Sequence, residues 1–200
     1  MIKLSLTDLL DISSARGIKK ERTIKKIKSR EEYNPAHDFY KQLRQNIISF
    51  HKNNDGEDMD PQEILANVSN RKKLPHYFAA LNGYTQWLNH ENYRWFEPPR
   101  DMYNNNGVNV IINPELGLRS NEGGIIIKLY FKNDPLSKFG ADAITHLMEI
   151  QLRPVIHENI RMAVLDMRRA KLYFYDEKAI VKQIIDAELA LIANIWDLAA

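Results

Sequence analysis

Cysteine is absent from this chain of 200 residues. Its absence excludes disulfide bonds, thiolate zinc sites, iron–sulfur clusters and a cysteine nucleophile. A bound metal ion would therefore have to be held by carboxylates or histidines. The sequence also lacks a glycine-rich phosphate loop, a G-x-S-x-G nucleophile elbow and an H-E-x-x-H zinc motif. The chemistries that depend on these motifs have no local signature here.

Long apolar runs are also missing. No stretch approaches the roughly 20 residues that a membrane-spanning helix needs, and in the opening MIKLSLTDLL the short apolar segment is interrupted by Asp8. We therefore expect a cytoplasmic protein that does not associate with a membrane. Apolar residues make up 44% of the chain and charged residues 27%, which is typical of one globular unit.

Positive charge is concentrated near the start of the chain. Residues 1–30 carry nine Lys or Arg against three Asp or Glu, whereas residues 31–200 carry nineteen against twenty-three. Such a run could neutralise the phosphates of a nucleic acid, or it could form a solvated helix that packs on the acidic remainder of the chain. The candidate nucleic-acid-binding residues in this run are Lys19, Lys20, Arg22, Lys25, Lys26, Lys28 and Arg30.

Helix signals dominate the first half. Ser5 followed by Asp8 resembles a capping box, and Asn34-Pro35, Asp60-Pro61 and Pro75 are typical of helix starts. The segment 96–107, rich in Pro, Asn and Gly, is predicted to be a loop. We expect a basic helical segment over 1–33, then a single α/β domain over 34–200 that is helical over 34–96 and contains its sheet over 108–200.

Strand signals follow that loop. The run 108–112 alternates apolar and polar residues, and the run 125–131 follows a glycine-containing turn, so an antiparallel hairpin of these two runs is predicted. A helix after Asp134-Pro135, two strands within 162–175 that turn near 168–170, and a C-terminal helix complete the pattern. The predicted fold class is α/β or α+β, with a small mixed sheet of three to four strands flanked by helices.

Two acids and one lysine, on the predicted strands or just after one, form the candidate catalytic set: Glu115, Lys128 and Asp166. Metal-dependent phosphodiester hydrolysis uses carboxylates that hold Mg²⁺ and a lysine that stabilises the developing charge. Alternation places Lys128 on the face of Ile126 and Tyr130. The alternative is a structural role, in which the lysine stem covers apolar surface and the head reaches a carboxylate or water.

Two further groups could contact a nucleic acid. The stretch GYTQWLNHENYRWF places five aromatic rings among cations, an arrangement that can stack bases or can seal a core. Arg168 and Arg169 lie at the predicted turn between the last two strands, where they could contact phosphate or be solvated. The C-terminal helix, rich in large apolar residues, could complete the core or form a homo-oligomer face.

Seven segments spread over nearly the whole chain resemble a widespread family of uncharacterised bacterial proteins: LTDLL, DFYKQLR, HYFAALNGYTQWL, NPELGL, IKLYFKNDPLSK, AVLDMRRAKLY and AELALIANIW. That family has no assigned reaction, so the resemblance implies no functional residue. The order helix, hairpin, helix, strand also resembles the core of the PD-(D/E)xK nucleases, a restriction-endonuclease-like fold. This second resemblance implies Glu115 as a metal ligand and Ile126–Lys128 in the place of E/D-x-K. One acid is then missing, unless Asp142 or Glu149 of the following helix supplies it.

Two functions follow from these observations. The first is a non-catalytic module that binds a nucleic acid or a protein partner and needs no cofactor. The alternative is a metal-dependent nuclease, intact or degenerate, that would use Mg²⁺. The first is favoured because Ile126 stands where the nuclease layout needs a carboxylate.

Overall fold

The computed structural model describes residues 1–30, 38–53, 59–68, 70–89, 93–121 and 123–198. Over these ranges the protein combines helices with two mixed sheets, which confirms the α+β class. The helices are α1 (Leu6–Ser14), α2 (Ile18–Lys28), α3 (Lys41–Asn53), α4 (Pro61–Leu65), α5 (Leu74–Leu88), α6 (Lys138–Leu152) and α7 (Ala179–Leu198). The strands are β1 (Ile2–Ser5), β2 (Arg94–Phe96), β3 (Asp101–Asn105), β4 (Val108–Ile112), β5 (Leu116–Ser120), β6 (Gly123–Tyr130), β7 (Ile160–Asp166) and β8 (Lys171–Phe174).

The strands form a three-stranded sheet, in the order β1-β4-β3, and a five-stranded sheet, in the order β2-β5-β6-β7-β8. The prediction of a single sheet with three to four strands was therefore wrong in the number of sheets and of strands. The hairpin predicted between 108–112 and 125–131 was also wrong, because β6 pairs antiparallel with β5 and β4 lies in the other sheet. The segment predicted as a loop over 96–107 contains β3, which pairs with β4.

The centre of the larger sheet is a parallel pair. Strand β6 runs parallel to β7, with Lys128 opposite Val164 and Tyr130 opposite Asp166. A parallel pair needs a crossover connection, and α6 supplies it. Strand β7 then turns at residues 167–170 into antiparallel β8, close to the predicted turn.

The two faces of the larger sheet pack against different helices. Ile126, Tyr130 and Val164 belong to a core shared with α1, α2, α6 and α7. Ile127 and Leu129 belong to a core shared with α3 and α5. The predicted alternation along β6 is thus confirmed, and Lys128 lies on the face toward α6.

Local helix signals agree with the structure. The Ser5 hydroxyl accepts the Asp8 N–H and the Asp8 carboxylate accepts the Ser5 N–H, which confirms the capping box. Asp60 caps α4 by accepting the Gln62 N–H. The start predicted at Asn34-Pro35 and the boundary between residues 33 and 34 lie outside the described residues.

One glycine marks a close approach between a helix and the sheet. A side chain at Gly83 of α5 would clash with the carbonyl oxygen of Met167, in the turn after β7. Glycine lowers helix propensity, but here it lets α5 lie against backbone. The turn that carries Arg168 and Arg169 is therefore held against α5.

Candidate functional site

Glu115 and Lys128 meet on the face of the larger sheet toward α6. Glu115 directly precedes β5 and Lys128 lies on β6, so antiparallel pairing brings the two side chains together. The Lys128 ammonium donates to Glu115 Oε1 at 2.7 Å, and the other carboxylate oxygen accepts the Leu129 N–H at 2.8 Å. Each residue is only 8% exposed.

The hydrogen-bonding capacity of Lys128 is filled. Besides Glu115, its ammonium donates to the Asn113 carbonyl oxygen at 3.0 Å and to Asn113 Oδ1 at 3.1 Å. An ammonium has three donors, and the three acceptors use all of them. Lys128 therefore reaches a carboxylate, as the structural alternative expected. It could bind a phosphate only by giving up one of these partners.

Asp166, at the end of β7, makes a separate set of contacts. Its carboxylate is fully buried, accepts the Leu136 N–H at 3.1 Å, and lies 3.4 Å from the Arg169 guanidinium. Within the described ranges, no hydrogen bond or ion pair joins Asp166 to Glu115 or Lys128. The structure therefore brings together two of the three candidate catalytic residues. Asp166 instead holds the link between β6 and α6.

Tyr130 lies beside Asp166 in the parallel register. Burial, and then the carboxylates of Asp166, Asp11 and Asp134, raise the pKa of Tyr130 to about 12. The phenol is therefore neutral at physiological pH. It can donate a hydrogen bond but does not add negative charge to its surroundings.

The acids of α6 are engaged in ion pairs. Asp142 accepts from Lys138 at 2.9 Å and from Lys178 at 2.8 Å. Burial acts to raise the pKa of Asp142, but these two lysines outweigh it and lower the pKa. Glu149 pairs with Arg153. In the part of the chain that the structure describes, no three His, Asp or Glu side chains are grouped closely enough to hold a metal ion.

The basic segment forms α2, an amphipathic helix that packs between α1 and α7. Ile24 and Ile27 are its buried residues. On the side toward α7, Lys20 pairs with Glu188 and Lys28 donates to the Trp196 carbonyl oxygen. This side agrees with the alternative of a helix packed on the rest of the chain.

Two more basic side chains of the segment have carboxylate partners. Lys25 pairs with Glu21 along the helix at 3.2 Å, and Arg30 pairs with Asp8 of α1. Arg22, Lys25 and Arg30 are exposed to solvent. Ion pairs at this degree of exposure contribute little to stability.

A cavity of about 660 Å³ lies beside α2, between the hairpin of α1 and α2 and the link from β6 to α6. Buried Leu10, Ile27 and Leu136 form part of its wall, and Ser13 and Thr23 bring hydroxyl groups to it. Five cationic side chains and two acidic ones line it: Arg16, Lys19, Lys26, Arg30 and Lys132, with Asp11 and Asp134.

Three of the five cations have no ion-pair partner in the part of the chain that the structure describes. Lys132 pairs with Asp11, and Arg30 pairs with Asp8. Among the described residues, none accepts a hydrogen bond from the side chain of Arg16, Lys19 or Lys26 or forms an ion pair with it. Sequence reasoning found Lys19, Lys26 and Arg30 but missed Arg16 and Lys132. Arg16 lies just before the basic run, and Lys132 is more than one hundred residues away along the chain.

Arg168 and Arg169 are held by internal contacts. Arg168 donates to the Phe131 carbonyl oxygen at 3.3 Å and to the Tyr40 hydroxyl at 3.0 Å. Arg169 donates to the Asn133 carbonyl oxygen at 2.8 Å and pairs with Asp166. These bonds fix the turn after β7 to the end of β6, on a part of the surface that does not line the cavity.

Four of the five rings in the aromatic stretch belong to the core toward α5. Tyr84 is fully buried and its hydroxyl lies 2.6 Å from His51 Nε2. Trp87 stacks on Tyr93, with ring centroids 6.0 Å apart. Trp87, Tyr93 and Trp95 are partly buried at the edge of this core, whereas Phe96 packs against the core on the other face of the sheet.

The C-terminal helix α7 has two apolar sides. Val181, Ile185, Leu189 and Ile192 are buried, as its helical spacing predicted. Ile184 and Leu191 are exposed. The helix therefore completes the core, and its role in a homo-oligomer stays a prediction.

Comparisons with known proteins do not identify a family. No protein-family model matches the chain, and no curated protein shows significant similarity to it. None of the helices described is long and apolar enough to cross a membrane. The resemblances to a bacterial family and to the nuclease core therefore stay predictions.

Proposed function

We propose that this protein is a nucleic-acid-binding module that holds phosphates at the cavity beside α2. The observation that carries the proposal is the charge around that cavity, where five cationic side chains face two acidic ones. Arg16, Lys19 and Lys26 have no partner among the described residues. Cations kept apart from carboxylates in this way suit an anionic ligand.

The physical gain on binding comes from phosphate neutralisation. Nucleic acids carry a condensed layer of counterions, and each Lys or Arg that replaces one releases it into solution. Arginine adds paired donors that match phosphate oxygens, and lysine adds a compact charge. The cavity has both kinds of side chain at its edge. Recognition of this type is insensitive to base sequence, because phosphates are common to all strands.

The test compares two pairs of substitutions on one helix. Lys19→Ala with Lys26→Ala removes two charges beside the cavity, whereas Arg22→Ala with Lys25→Ala removes two exposed charges that do not line it. We expect the first pair of substitutions to weaken the binding of single-stranded DNA or RNA more strongly than the second pair does. In the unsubstituted protein, the logarithm of affinity should fall with the logarithm of salt concentration by about 0.7 per phosphate contact.

Fluorescence anisotropy at several salt concentrations measures both effects. The Lys19/Lys26 variant should show a salt slope shallower by about 1.4, for two lost contacts. Equal losses in the two variants would mean a diffuse electrostatic field rather than a site at the cavity. Binding that ignores salt, or no binding at all, would contradict the proposal.

The metal-dependent nuclease is the second candidate. What supports it is the position of Lys128 beside Glu115 on adjacent strands of a mixed sheet. The carboxylate does not fit a metal in this arrangement, because it is only 8% exposed and the Lys128 ammonium, 2.7 Å away, already compensates its charge. The candidate requires cleavage that depends on Mg²⁺ or Mn²⁺ and disappears in both Glu115→Ala and Lys128→Ala. Cleavage that persists in both variants would exclude these residues as its source.

A further inference from the structure

The cavity beside α2 is concave, and its shape restricts what it can hold. Its volume of about 660 Å³ lies within the range of roughly 300 to 1,000 Å³ typical of small-molecule sites. Leu10 and Leu136 are buried in its wall, so the cations surround a recess rather than a flat patch. A recess of this size suits one nucleotide unit. The backbone of a duplex, in contrast, is contacted along an extended surface.

The unpaired charge at the recess favours a doubly charged phosphate. Among the described residues, Arg16, Lys19 and Lys26 have no ion-pair partner, against one lining acid without a partner, Asp134, and Arg30 and Lys132 are close by in ion pairs. A phosphate monoester carries about −1.5 to −2 charges at neutral pH and three terminal oxygens. A diester inside a strand carries one charge and two such oxygens. The excess of cations therefore gains more from the monoester.

The start of a helix lies at the same recess. It borders the start of α6, a helix of 15 residues, at Ser137 and Phe139. The Ser137 hydroxyl accepts the Gly140 N–H, whereas the N–H group of Phe139 has no acceptor among the described residues. First-turn N–H groups and the helix dipole favour a phosphate at such an end. Here they add to the three cations that have no partner among the described residues.

We infer that this recess binds a phosphate monoester, either the terminal phosphate of a nucleic-acid strand or that of a free nucleotide. The cations of α2 and Arg16 neutralise the group from one side. The start of α6 donates to it from the other side. The strand-end form of the inference rests on the proposed function, whereas the free-nucleotide form does not.

The experiment uses the full chain and one short single strand in three forms: with hydroxyls at both ends, with a 5′ phosphate, or with a 3′ phosphate. A fluorophore at an internal base leaves both ends free. We expect one phosphorylated form to bind at least about tenfold more tightly than the form with hydroxyl ends, which is the gain from one charge-assisted hydrogen bond. The preference should vanish in Lys19→Ala with Lys26→Ala and persist in the control variant, Arg22→Ala with Lys25→Ala.

A second arm uses a nucleoside monophosphate, the matching nucleoside and inorganic phosphate, each in calorimetry with the unlabelled protein. Binding of the monophosphate but not of the nucleoside, without any strand-end preference, would support the inference and assign a free nucleotide as its source. Circular dichroism checks that the double variant is folded. If it is not, Arg16→Ala replaces it in both arms.

The two proposals fail in different ways. Equal affinity for the three strand forms, with no binding of the monophosphate, would overturn the inference and leave the proposed function standing if binding still falls with salt. No binding of any strand would overturn the proposed function. Binding of the nucleoside monophosphate would then decide the inference. If the monophosphate also failed to bind, the inference would be overturned as well.

Discussion

The lysine of the larger sheet and the lysines of the cavity beside α2 contrast in how their charge is compensated. Lys128 is buried and has an acceptor for each of its three donors, including a carboxylate at 2.7 Å. Lys19 and Lys26 are exposed and have no partner among the described residues. The same side chain thus stabilises the fold in one place and remains available to a ligand in the other.

Placement on a strand is therefore a poor guide to a reactive lysine. A buried charge must be paired, since desolvation without a partner costs several kcal/mol. Such pairing uses up the hydrogen-bond donors that a substrate would need. At an exposed helix, water solvates the unpaired ammonium, so the free donors cost the fold little. The free energy of unfolding should therefore respond to substitution in an order set by burial and pairing.

The largest effect is expected at the buried pair. Glu115→Ala leaves the Lys128 ammonium buried without its carboxylate, and breaking a buried pair in this way costs about 3 to 5 kcal/mol of unfolding free energy. Urea denaturation followed by circular dichroism measures the loss. The double variant Glu115→Leu with Lys128→Met should recover most of it, because no charge is then left unpaired. A loss below about 1 kcal/mol in the single variant would mean that the pair is solvated.

The next effect is expected at Asp166, which ties the sheet to the cavity wall. Asp166→Ala removes the acceptor of the buried Leu136 N–H, and hydrogen bonds to charged groups are worth about 1.5 to 3 kcal/mol. Denaturation again gives the value. Asp166→Asn is the control, since it keeps an acceptor and should lose less. Equal losses in the two variants would assign the effect to the charge paired with Arg169 instead.

A smaller effect is expected at the side of α2 that packs on α7. Lys20 pairs with Glu188 at partly exposed positions, with side chains 14% and 16% exposed, so Lys20→Ala should cost about 1 kcal/mol or less. The cost should shrink in high salt, because salt screens the pair. A cost that is independent of salt would point to packing of the lysine stem.

The smallest effect on stability is expected at the cavity. Lys19→Ala with Lys26→Ala removes no pair within the described protein and should change the unfolding free energy by about 0.5 kcal/mol or less. The same variant should lose most of its phosphate-dependent binding. A large loss of stability would show that Lys19 and Lys26 are paired within the protein in solution. The contrast in charge compensation between these lysines and Lys128 would then not hold.

Local features of the fold were predictable from the sequence. The Ser5–Asp8 capping box, the cap at Asp60 and the apolar spacing of α7 all act within a few residues. Alternation along β6 likewise placed Lys128 on the face of Ile126 and Tyr130. Pairing partners were not predictable in the same way. Strand β1 pairs with β4, about one hundred residues later, and the polar run of β3 shows no alternation that would mark it as a strand.

The candidate site also has features that the local sequence sets and features that only the folded structure sets. The amino-acid order alone established the absence of cysteine chemistry, the excess of cations in residues 1–30, and the apolar pattern that makes α2 an amphipathic helix. Folding in three dimensions established which cations are paired, including the pair of Lys128 with Glu115. It also placed Lys132 and the start of α6 across a cavity from α2. The physical reason is that ion pairs and cavities depend on distances through space, which residues far apart in the chain set together.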